Sequence, residues 1–107
     1  MLVQGFASTD QARHVSPLVL LISYDLNGHE RPSAYRAVKK RIEEGATSFR
    51  RPLYSQWLVE TPSSPQQWFD HLKSVIDSND RLFVVQVRRP YQGWLDEEDW
   101  KWLNARV

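Results

Sequence analysis

The chain has 107 residues, no cysteine and a net charge of +1, which gives one domain and excludes disulfide staples, thiolate metal sites and cysteine nucleophiles. Hydrophobic residues at 41% and charged residues at 25% belong to a globular chain and exclude wholesale disorder. A sequence pI near 8.1 falls short of the roughly 9 or more of an obligate nucleic-acid binder, though local basic patches stay open.

Residues 1–17 mix Gly, Ser, Thr, Gln, Asp and Arg without a period, and read as a loosely held leader. They lack the basic start and apolar core of a signal peptide, and no apolar run nears the about 20 residues that span a bilayer. A cytoplasmic protein is expected. One domain then runs over 18–107.

Leu18 to Tyr24 is a continuous apolar run, too short for a buried helix, and predicts a strand covered on both faces. It delivers Asp25 to a turn, Leu26-Asn27-Gly28, where ligands are commonly met. A helix follows from Ser33 to Glu44, with Ala34, Tyr35, Val38 and Ile42 on one face and Gly45 as its C′ glycine. Ser48–Pro52 and Tyr54–Thr61 form a hairpin. Pro52 marks the first of these strands as an edge, and the mixed alternation of the second suits an interior position.

Ser64-Pro65-Gln66-Gln67 predicts a capping box with proline at the first helical position. Trp68, Leu72, Val75 and Ile76 make the buried stripe of that helix, with Phe69 widening it and His71 falling outside it toward solvent. Leu82–Val87 is the last strand. Residues 91–107 form an appendage with a helix from Leu95 to Asn104, Asp96 as its N-cap and three of the five tryptophans. The order β-α-β-β-α-β predicts an α+β, ferredoxin-like sandwich: a four-stranded antiparallel sheet, two helices on one face and a C-terminal helical appendage.

Leu21-Ile22-Ser23-Tyr24-Asp25-Leu26, Ser55-Gln56-Trp57-Leu58-Val59, Ser78-Asn79-Asp80-Arg81-Leu82 and Gly93-Trp94-Leu95 occur in that order along this frame. In these segments the chain resembles the small bacterial SinR-like proteins. More distantly it is similar to the small CRISPR-associated partner of the spacer integrase and to virulence-associated protein D. The leader and the tryptophan-rich terminal helix depart from that pattern. The resemblance implies a homodimer in which Asp25 meets its symmetry mate, with one divalent metal, Mg or Mn, held between the two. It implies either a metal-dependent nuclease or a non-catalytic scaffold that bridges protein and DNA.

Residue chemistry is compatible with both outcomes. Asp25 is the candidate metal ligand and catalytic acid, and magnesium accepts one or two carboxylates completed by water or phosphate. A two-fold dimer supplies the second carboxylate. His29, in the adjoining loop, is the candidate base or phosphate contact. Arg31, Arg50 and Arg51 are candidate contacts to RNA or DNA, the last two without an acid close in sequence. A purely structural account competes at each position: Asp25 as a turn residue, His29 as a solvated loop residue, and Lys39–Glu43 and Lys40–Glu44 as solvated helix pairs. Trp57 and Trp68 belong to the core by phase. Trp94, Trp100 and Trp102 either stack on bases or, in the more common use of such an appendage, cover a sheet edge or bind a protein partner.

Overall fold

A computed structural model describes residues 17–26 and 32–107. The apolar run forms strand β1, Leu18–Asp25, followed by helix α1, Pro32–Gly45. Strands β2 and β3 span Ser48–Leu53 and Gln56–Thr61; helix α2 is Pro65–Lys73, strand β4 is Arg81–Gln86 and helix α3 is Glu97–Asn104. The four strands make one antiparallel sheet in the order β2-β3-β1-β4. This is the ferredoxin-like arrangement, with β1 and β3 in the middle and the proline-bearing β2 at an edge. The β2–β3 register is irregular between Arg50 and Leu53, where Pro52 cannot donate to the ladder.

Side chains alternate across the pleat, so each face can be read from the register. Leu20, Ile22 and Tyr24 of β1 share a face with Trp57 and Val59 of β3, and this face packs on Ala34, Val38 and Ile42 of α1 and Trp68 and Leu72 of α2. Both helices therefore lie on one side. The α2 capping box is complete: Gln67 N–H donates to Ser64 Oγ at 3.1 Å and Ser64 N–H to Gln67 Oε1 at 2.8 Å. The helix stops at Lys73, earlier than its apolar stripe suggests, leaving Val75 and Ile76 to pack against the core from the following turn. Phe69 stays 40% exposed and does not widen the buried stripe.

Gly45 is the last residue of α1 and does not adopt a left-handed conformation; its role is room. A Cβ there would stand 2.9 Å from Trp68 Cη2 and 3.3 Å from His71 Nε2. His71 is half-buried and not free in solvent: its Nε2 lies 3.1 Å from the Arg41 carbonyl and its ring meets Trp68 edge-on. Thr61, fully buried, accepts from Trp68 Nε1 at 3.0 Å and from Ser63 N–H at 3.1 Å, tying β3 to α2.

The appendage covers a sheet face, not an edge. Leu103 is buried against Val19 and Leu58 on the side of the sheet opposite α1 and α2, with Trp100, Trp102, Tyr91 and Val107 around it. Asp99 forms an ion pair of 2.6 Å with Arg50, Trp102 Nε1 donates to Ser48 Oγ at 2.9 Å, and Arg106 pairs with Glu60 at 3.1 Å. These three contacts fix α3 over β2 and β3. Asp96 holds the N-cap position but its side chain makes no capping bond.

Candidate functional site

Among the described residues, α3 covers only part of its sheet face. Leu21, Ser23 and Asp25 continue along β1 on that side, opposite Val85, Phe83 and Arg81 of β4, while Gln56 stands across from Ser23 on β3. Leu53 of β2 pairs with Gln56 and extends the same row. Phe83 is 64% exposed and Leu53 50%, so the end of the face away from α3 is a partly apolar surface open to solvent. Gln56 Nε2 donates to Ser23 Oγ at 3.3 Å within it.

Asp25 closes β1 on this open half and is exposed. Arg81 is its register partner, but the Arg81 guanidinium donates to the backbone carbonyls of Asn79 and Asp80, each at 3.4 Å. Among the described residues the Asp25 carboxylate has no hydrogen-bond or ion-pair partner. A carboxylate with both oxygens free keeps all its acceptor capacity for a ligand. His29 and Arg31 lie outside the described residues. Among the described residues no three metal-ligating side chains gather at one point.

The two hairpin arginines have different surroundings. Arg50 points to the α3 face, where buried Asp99 neutralises it. Nothing local in the sequence announces this pair, because its members are separated by more than two intervening elements. Arg51 lies beside a cluster of rings at the hairpin tip. Its guanidinium carbon is 4.8 Å from the ring centroids of both Tyr54 and Trp57, and its Nε donates to the Tyr54 carbonyl at 2.8 Å. Tyr35 stands 5.6 Å from Tyr54 and 5.9 Å from Tyr24 by ring centroids. Trp57 Nε1 donates to Tyr24 Oη at 2.9 Å inside the core. Burial pushes the Tyr24 hydroxyl pKa up, against smaller lowering effects of the Trp57 hydrogen bond and the Arg51 charge. The sequence places Tyr35 on a helix face and Tyr54 at the start of a strand, and neither position carries a signal that the two rings meet; Tyr54 in fact lies in the turn before β3.

A second concavity, a shallow cleft of about 780 Å³, runs along the α1–α2 seam between Arg41, Thr47, Gln67, Trp68 and His71. Arg41 Nη1 donates to the His71 carbonyl at 3.3 Å, so its floor is knit by the helices themselves.

Fold and exposed features together define a ferredoxin-like α+β protein in which, among the described residues, the strand-end acid Asp25 has no partner and the sheet face beside it is covered in part. Neither a protein-family model nor a curated protein matches the chain. No described helix is long and apolar enough to cross a membrane.

Proposed function

We propose that the chain works as a nucleic-acid-associated homodimer in which Asp25 of each copy contributes to one Mg or Mn site for phosphodiester cleavage. The observation that supports this reading is the exposed Asp25 carboxylate, without a partner among the described residues, at the rim of a half-open, partly apolar sheet face. A two-fold contact over that face repeats each residue across the axis, so one acid per chain becomes two. Facing carboxylates repel and favour a cation between them. When bound, such a metal orients water and offsets charge on the phosphodiester. The chain's own part is to aim Asp25 from the end of a central strand, with His29 and Arg31, which follow closely in sequence, as base and phosphate contact.

Calorimetry with Mn and with Mg tests it. The expected result is about one ion per two chains in wild type and none in Asp25→Asn, as a shared two-carboxylate site requires. Cleavage of single- and double-stranded RNA and DNA should depend on the metal and disappear in Asp25→Ala. Cleavage that survives this substitution, or a wild type that binds neither ion, overturns the proposal.

The alternative, a non-catalytic scaffold holding a protein partner through its tryptophan-rich tail, is favoured by one observation: Trp94 is 98% exposed. Trp100 and Trp102 are engaged within the chain, so Trp94 alone would carry such a contact. A dimer or partner complex lost in Trp94→Ala, with Asp25→Asn unaffected, selects this reading.

A further inference from the structure

We propose that Arg51 and Tyr54 form a seat for one unpaired nucleotide, the base stacking on Tyr54 and its phosphate held by the Arg51 fork. The inference rests on the nucleic-acid reading above and names its substrate class: single strands. Four observations carry it. Tyr54 sits in the β2–β3 turn and is 70% exposed, so its ring is presented to solvent. Arg51 is held in place from three sides, by the two rings at 4.8 Å and by its Nε bond to the Tyr54 carbonyl. That leaves both terminal nitrogens without a hydrogen-bond partner among the described residues. No acid there pairs with Arg51, whereas Arg50 beside it is neutralised by Asp99.

A guanidinium immobilised by stacking loses little freedom on gripping a phosphate and offers it two parallel donors. An exposed aromatic ring beside such a cation matches the base-and-backbone repeat of a single strand. In a duplex both faces of each interior base are already stacked, so the same ring finds nothing to cover. Trp94, the more exposed ring at 98%, is a poorer seat on charge grounds. It precedes Asp96 and the acidic first turn Glu97, Glu98 and Asp99, which repels phosphate.

Fluorescence anisotropy with fluorescein-labelled ten-nucleotide single strands, RNA and DNA, and with the matching blunt duplex tests the seat across a salt series. Wild type should prefer the single strand by about tenfold or more. Tyr54→Leu should weaken single-strand binding by about tenfold, while Tyr54→Phe keeps it, because the π face and not the hydroxyl does the stacking. Arg51→Gln should weaken binding and reduce the slope of log K against log salt by about 0.7, the share of one phosphate contact on a single strand. Arg51→Lys should keep the slope but not the affinity, since it retains charge without the fork.

Thermal midpoints within a few degrees of wild type verify that each variant is folded. Binding that ignores both Tyr54→Leu and Arg51→Gln overturns the seat and leaves nucleic-acid association standing. A wild type that binds none of the probes overturns both. Preference for the duplex, or displacement of the oligonucleotide by polyglutamate equally well per charge, also overturns the seat, the latter assigning it to an acidic protein.

Discussion

Tyr24 joins sequence, packing and pH response in a single side chain. Its phenol oxygen is the acceptor for the buried Trp57 indole N–H, so Tyr24→Phe removes one atom and orphans a donor. Leaving such a group unsatisfied costs about 1–3 kcal/mol, which urea unfolding at neutral pH should register as a lower midpoint with unchanged slope. The pH response follows from the raised pKa. An unfolded chain's tyrosine ionises near 10.0, whereas buried Tyr24 keeps its proton beyond that point. Above it the folded state binds more protons than the unfolded state, so the contribution is complete below the unfolded value and fades as pH rises through the folded one. The alkaline decline of stability should therefore be shallower in Tyr24→Phe than in wild type. Parallel curves would show that other groups set the alkaline limb.

At the scale of elements, α3 and the residues after it are held to the sheet by paired polar groups. Asp99 is 3% exposed and stands in the first turn of the helix, where the dipole favours an acid. Arg50→Gln leaves that carboxylate buried without its cation. The expected loss is about 2 kcal/mol, less than the roughly 3–5 of a fully buried pair because the Arg50 side chain is 38% exposed. Arg50→Met combined with Asp99→Leu should recover most of it, since the pair's desolvation cost disappears together with its attraction. Chemical denaturation of Arg50→Met, Asp99→Leu and their combination measures the coupling. Failure of the double variant to recover would show that the ion pair adds net stability.

The legibility of these elements follows from how local their causes are. The α2 cap was readable because Ser64, Pro65 and Gln67 act on one another within one turn. The placement of β1 and β3 inside the sheet is readable because burial on both faces leaves a continuous apolar run in β1 and, in β3, an alternation in which neither face is purely polar. The side of the sheet on which α3 lies was not, because Arg50–Asp99, Ser48–Trp102 and Glu60–Arg106 join segments far apart in sequence. Asp25 was found as a strand-end acid by the same local logic. Tyr54 is legible in the sequence only as a strand residue, because its meaning depends on Tyr35, Trp57 and Arg51 converging, which only the folded chain brings about.

On the scale of the whole molecule, the strand order has a consequence for how the chain can be divided. Every lateral neighbour relation in the sheet, β2 with β3, β3 with β1 and β1 with β4, joins a strand before the Tyr54–Ser55 turn to one after it. A nick at that turn therefore yields residues 1–54 and 55–107, each holding two strands that are never adjacent to each other. Neither piece has a native ladder of its own, so circular dichroism should find each lacking the sheet signature. Mixed together, they should regain it in a concentration-dependent manner, because chain cleavage turns every loop closure across the sheet into a bimolecular encounter. The protein is, in this sense, a built-in complementation pair: its two halves are readable as a reporter of whether whatever they are fused to has come together.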